Sequence, residues 1–339
     1  MLLSSREGTQ QMSGGNIAYH LRPNKAADRA LFLDLLNRIG RTSFNISDYK
    51  YYGFGGPFME DFRAIHAATR ISDMTCIERD ATVQARQRFN CPLSCVSFQL
   101  TDSSTFISEF SSDSPSVVWL DFTSPGELKQ QLDDTFNLVN KLAHGDIFRV
   151  TLNASVSALR EDSGNLKQDE LVALRRRVFI DRSGIDCPTT IKDSDFRANQ
   201  YPTILLQALK LAAIRATNHS PLVVQPLSAF TYSDGTTMLT ATGIVLDSSK
   251  LKIEEFPIDS RIAHWPFANT DWKYPHEIDL PTLSSRERLA LESLQPNGTV
   301  DAARNILKDA IGPDGITEKA VRSYGTFYRI YPEFVRINA

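Results

Sequence analysis

Cysteine is scarce in this 339-residue chain: Cys76, Cys91, Cys95 and Cys187 are the whole set. They form no two Cys-x-x-Cys pairs, and Cys91 and Cys95 have no His/Cys pair nearby, which argues against a structural zinc site. A chain this long buries roughly three quarters of its unfolded surface, so it needs no covalent staple, and the thiols read as reduced and buried. Long apolar runs are missing too. Nothing approaches the ~18 continuous residues of a membrane span, and Met1-Leu2-Leu3-Ser4-Ser5-Arg6-Glu7 lacks the apolar centre of a signal peptide. The expected location is therefore cytoplasmic, with no membrane partner. An excess of one charge is absent as well: 37 basic against 40 acidic residues give a net charge of −3. That argues against nucleic-acid binding by bulk electrostatics, while a specific nucleic-acid substrate stays open. The six histidines (His20, His66, His144, His219, His264, His276) form neither H-x₃-H nor H-E-x-x-H, leaving metal catalysis unsupported. No G-x-S-x-G occurs, which disfavours a serine hydrolase.

What is present is a regular alternation. After a polar start, with Ser13-Gly14-Gly15 as a flexible point, Leu31, Phe32, Leu35, Leu36 and Ile39 recur at helical spacing. Short strands are then predicted near residues 49–52, 74–78, 94–98, 117–121 and 147–152, with helices between them. Leu128, Leu132, Phe136, Val139 and Leu142 make a stripe that would pack on a sheet. Five apolar strands alternating with helices imply an α/β fold with a parallel sheet covered on both faces. Residues 154–219 are helical and charged, too long for one crossover helix, and read as an inserted cap. Two β-rich runs, 222–230 and 237–246, flank Asp234-Gly235, a hairpin signal. Pro226 confines the first run to a sheet edge or a bulge. The remainder predicts helices starting near Ser284, Thr299 and Thr317, the first with a Ser284/Glu287 capping box. The expected organisation is an arm over 1–27, a core over 28–250 with the cap at about 154–219, and a helical extension over 251–339.

In such sheets the ligand sits beyond the carboxyl ends of the strands, and those ends carry the candidate residues. Tyr52-Gly53-Phe54-Gly55-Gly56-Pro57 lies between a strand and a helix, where glycines let backbone approach a ligand and a helix amino end favours polar groups. A plain turn is the competing reading. Glu78 follows Gly53 by 25 positions, where an acid accepts from two ribose hydroxyls; alone it could equally be a solvated loop acid. Asp102 could accept from an adenine amino group, or cap a helix within Thr101-Asp102-Ser103-Ser104, or both. Asp121 ends the apolar run Val117-Val118-Trp119-Leu120, a place where a carboxylate is hard to explain as packing.

Gly53, Glu78, Asp102 and Asp121, at the ends of four successive strands and followed by the hairpin, resemble a class I S-adenosylmethionine-dependent methyltransferase. The resemblance covers roughly residues 28–250. It implies a Rossmann-like, seven-stranded, mostly parallel sheet with the sixth strand at an edge and the seventh antiparallel between it and the fifth. It implies S-adenosyl-L-methionine as cofactor, with Tyr52, Gly53, Gly55 and Gly56 near the methionine part, Glu78 on the ribose and Asp102 on the adenine. Asp121 would face the donor and act catalytically by orienting or deprotonating the acceptor. Tyr51 stands where the family usually has an acid, and Pro57 replaces the third glycine. Methionine-end contacts are then expected from Arg22, Asn24 or Lys25, with Lys25 the chosen donor contact. Asp121-Phe122-Thr123-Ser124-Pro125 is not the Asp-Pro-Pro-Tyr signature of amino-group methyltransferases, which points to a small-molecule or oxygen acceptor and to similarity with O-methyltransferases. Two alternatives share these features: an NAD(P)-dependent oxidoreductase, and a regulatory module that binds S-adenosylmethionine without transfer. A homodimer is compatible with all three.

The remaining features read more plainly. Arg175-Arg176-Arg177 is a solvated face or a contact to a phosphate-bearing substrate, and His144 closes a helix. Tyr324, Phe327, Tyr328 and Tyr331 make a packing stripe.

Overall fold

The computed structural model describes residues 22–332 apart from 112, 160–165, 219 and 313–314. Ser13-Gly14-Gly15, His20, His219 and most of the expected arm lie outside the described residues. Helix α1 spans Pro23–Ile39. There follow β1 (Lys50–Gly53), α2 (Glu60–Thr69), β2 (Asp73–Glu78), α3 (Ala81–Asn90), β3 (Val96–Leu100), α4 (Ser103–Glu109), β4 (Ser116–Asp121), α5 (Leu128–Val139) and β5 (Ile147–Asn153). After α6 (Gln168–Ser183) and α7 (Tyr201–Thr217) come the hairpin strands β6 (Leu222–Ser233) and β7 (Thr237–Asp247). The chain then passes α8 (Phe256–Asp259) and β8 (His276–Ile278) to reach α9 (Ser285–Glu292), α10 (Val300–Ile311) and α11 (Glu318–Phe327).

One sheet takes the order β3-β2-β1-β4-β5-β7-β6-β8. Strands β1 to β5 pair in parallel, and β7 runs antiparallel between β5 and β6. The sheet carries one strand more than the seven expected. Strand β8 pairs along Phe230–Tyr232, so β6 is not the edge, and Pro226 is accommodated instead by a bulge between Pro226 and Ser228. The 251–339 segment is accordingly not wholly helical.

Alternation along each strand splits the core between two faces. Val118, Leu120 and Val150 meet α5 and α7 on one side; Val117, Trp119 and Ile147 meet α1 and α2 on the other. Within 154–219, α7 lies on the first face as the crossover from β5 to β6, because it is apolar nearly all round and buries Leu205, Leu206, Leu209 and Ala212. Helix α6 buries only Val178, Phe179 and Ser183. Helices α9 to α11 gather around Leu291, Leu307, Val321 and Tyr324. Their amino ends are capped by Ser284 (with Glu287), Thr299 and Thr317, and the aromatic stripe packs inward, with Phe327 stacked on Phe267.

Helix α1 begins earlier than its apolar spacing predicts, so residues 23–27 of the expected arm are helical. Pro23 occupies its first turn, and the Arg22 side chain does not cap it. The Asp234 carboxylate from the β6–β7 turn accepts the N–H groups of Asn24 (3.3 Å) and Lys25 (2.8 Å) in its place. Among the described residues no helix is long and apolar enough to cross a membrane.

Candidate active site

Strand order reverses between β1 and β4, since β1 pairs with β2 on one side and β4 on the other. The crevice opened there is the expected place for a ligand, and a cleft of about 190 Å³ occupies it. Four successive strand ends reach it. After β1 come Phe54 and Gly56, after β2 Glu78 and Arg79, after β3 Thr101 to Ser103, and after β4 Asp121 to Thr123. A smaller recess alongside is bounded by Arg29, Gly55, Gly56, Asp61 and Asp121.

The glycines are set by close approach. A Cβ on Gly55 would lie 2.7 Å from Met59 Sδ and 2.8 Å from Cys76 Sγ. One on Gly53 would lie 2.5 Å from the Tyr51 hydroxyl, so the tyrosine that replaces the expected acid itself requires a bare backbone two residues on. Tyr52 does not enter the cleft. Its ring packs on Phe106 and Phe110, each 5.4 Å away, because alternation turns it toward α4.

Glu78 ends β2 with one oxygen accepting the Asp80 N–H (2.9 Å) and the other accepting from Gln87 Nε2 (3.2 Å). A carboxylate has about four acceptor positions, so capacity for two hydroxyls remains. Asp102 caps α4 by accepting from the Thr105 N–H (2.8 Å), a bond that with the Thr105 hydroxyl lowers its pKa against a small effect of burial. It lines the cleft at the same time. Asp121 accepts from Lys25 Nζ at 3.1 Å, both side chains being nearly buried. Lys25 is thus brought to the end of β4 by the helix start that Asp234 holds. Asn24 instead donates to Ser233 O and Asp234 and accepts from the Leu280 N–H.

Sequence reasoning missed the floor of the cleft. Glu127, Gln130, Gln131 and Asp134, at and beyond the start of α5, all line it. Asp134, 1% exposed, accepts from the hydroxyls of Ser103 (2.6 Å) and Ser104 (2.8 Å) and from Gln130 Nε2 (3.0 Å). The signal was there in the spacing of these four at three, four and seven positions, which sets them on one face of a helix. Elsewhere, His144 accepts from the Asp247 N–H, and Arg176 pairs with Asp193 on the surface. Among the described residues no three His, Cys, Asp or Glu side chains converge to hold a metal.

The lining is strongly acidic. Glu78, Asp102, Asp121, Glu127 and Asp134 face Arg79, and Glu60 and Asp61 stand in the first turn of α2 beside the glycine loop. Carboxylates in a cleft of low dielectric attract cations and repel anions. Arg29 pairs with both of those α2 acids and Lys25 with Asp121, which leaves the excess of negative charge on the Glu78 and Asp102 side of the cleft. A sulfonium carrying an ammonium fits this field well.

A family model described as "Putative O-methyltransferase" matches residues 17–339. No curated protein matches the chain. Among solved structures, the N-methyltransferase NodS from Bradyrhizobium japonicum WM9 is 11% identical, covers 66% of this chain and 97% of its own, and superposes with a TM-score of 0.37. A putative O-methyltransferase from Klebsiella pneumoniae is 9% identical over 68% of this chain and 82% of its own, with a TM-score of 0.37. The plantazolicin methyltransferase BpumL, solved with SAH, is 10% identical over 65% and 85%, with a TM-score of 0.38.

Proposed function

Because the chain belongs to this O-methyltransferase family and uses S-adenosylmethionine as methyl donor, we propose that the acid-lined cleft holds that donor and that Asp121 orients the acceptor. When bound, the donor supplies a methyl group activated on a sulfonium. The chain's own residues bind and align. Glu78 accepts from the two ribose hydroxyls, Asp102 and its loop border the adenine, and Gly55 and Gly56 let the backbone close on the methionine end. Lys25 presents its cation to the carboxylate of that end. Asp121 borders both cleft and recess, which suits a group that holds an acceptor against the methyl carbon and takes its proton where the acceptor is a weak acid.

The observation that carries this reading is the convergence of four strand ends on one acidic cleft at the strand-order reversal. The acceptor is read as a small molecule bearing an oxygen nucleophile, and the compartment as cytoplasmic, in keeping with four unpaired thiols. Calorimetric titration with S-adenosylhomocysteine tests the donor site. Glu78→Ala should weaken binding about tenfold or more, since hydrogen bonds to a charged group contribute about 1.5–3 kcal/mol. Asp121→Ala should retain binding within a few fold and lose transfer of labelled methyl to a small-molecule extract. Undiminished binding by Glu78→Ala, or NADH binding more tightly than S-adenosylhomocysteine, would sink the assignment.

A further inference from the structure

Gln87 is fully buried on α3, an unusual place for an amide, and both ends of its side chain are engaged. Its Nε2 donates to Glu78 Oε2 at 3.2 Å, and its Oε1 accepts from the Cys76 thiol at 3.4 Å. Cys76 precedes Glu78 by two residues, so β2 turns both to the same face. The sulfur lies only 2.8 Å from where a Gly55 Cβ would fall, so the bare Gly55 backbone packs directly against it. A relay therefore runs from the glycine loop through Cys76 and Gln87 to the acid that ends β2. The amide has one workable orientation, because the flipped form would aim its oxygen at a carboxylate. Burial pushes the thiol up to about 12, so it keeps its proton and remains a donor.

We propose that Gln87 is a positioning residue for the methyl donor: anchored by Cys76, it fixes the Glu78 carboxylate in the plane that meets the ribose hydroxyls and couples that carboxylate to the glycine loop. Asp80 secures the other oxygen while its own side chain caps α3. This inference rests on Glu78 being the ribose acid.

The test is calorimetric binding of S-adenosylhomocysteine to the full chain from pH 6 to pH 8. Gln87→Leu, similar in volume, should weaken binding about tenfold. Gln87→Glu carries the sharper readout. A neutral carboxyl at that place still donates to Glu78, whereas an ionised one repels it. The variant should therefore bind like the wild type near pH 6 and at least tenfold more weakly at pH 8, while the wild type stays flat. The other ionisable groups around the thiol are Cys91 and Arg88, and both are common to variant and wild type. Cys76→Ala should lose a few fold that Cys76→Ser restores. A Gln87→Glu profile parallel to the wild type, or full binding by Gln87→Leu alongside weakened Glu78→Ala, overturns the positioning role. Undiminished binding by Glu78→Ala overturns the ribose reading beneath it.

Discussion

Removing the Asp28 carboxylate should cost more stability than any surface change. Asp28 on α1 and Arg149 on β5 are both fully buried and paired at 2.6 Å. Arg149 also donates to the Thr242 hydroxyl, Asp28 accepts from Thr240, and the guanidinium lies against the rings of both Phe32 (4.6 Å) and Trp119 (4.8 Å). Asp28→Ala leaves that cation buried with one hydroxyl and two aromatic faces. Breaking one side of a buried pair typically costs about 3–5 kcal/mol. At about 2 °C per kcal/mol for a large domain, the melting temperature should fall by roughly 6–10 °C. Removing both charges is a different matter, because the desolvation penalty disappears with them. Asp28→Ala/Arg149→Met should therefore be more stable than Asp28→Ala alone, with a coupling energy of about 2 kcal/mol in a double-mutant cycle. Urea unfolding and differential scanning calorimetry measure both quantities. A loss under about 1 kcal/mol for Asp28→Ala, or a coupling near zero, would refute the view that this pair anchors α1 to the sheet.

Two further outcomes follow from the same helix. Asp234→Ala removes the acceptor for two N–H groups of α1 and should cost about 0.5–2 kcal/mol in unfolding experiments, with methyl transfer falling further than stability because Lys25 loses its anchor. Burial by itself would raise the Asp61 carboxyl, but the charges of Arg29 and Lys25 outweigh it and hold it below the ordinary 3.8. Asp61 thus contributes stability that is present above that value and is lost as pH falls through the lower folded one. Arg29→Met weakens that hold, so acid unfolding, followed by circular dichroism, should begin at higher pH than in the wild type.

Local rules made the scaffold legible. Short continuous apolar runs marked the strands, Asp234-Gly235 marked the hairpin, and Ser284, Thr299 and Thr317 marked helix starts because each signal lies within a few residues of its effect. The misses share a long range. Helix α1 is capped by a residue 209 positions away, so no neighbouring residue could reveal its start at Pro23. Strand β8 is three residues long and exists through its pairing with Phe230–Tyr232. The polar residues of α5 that line the cleft share one helix face, but what that face meets is decided only when the helix packs. Asp102 had two readings, and its side chain does serve as the cap while lining the cleft.

The bond from Asp234 to the start of α1 also sets an order in time. Lys25 is made before strand β1, yet the carboxylate that fixes its backbone emerges 209 residues later. At about 5–20 residues per second, that gap is roughly 10–40 s of synthesis. By about its middle all four strand ends that build the cleft have been made, while the cation that neutralises Asp121 still lacks the carboxylate that holds its backbone. The turn between the last two long strands thus works as a latch, closing the cleft end of the sheet only after its parallel half has been made.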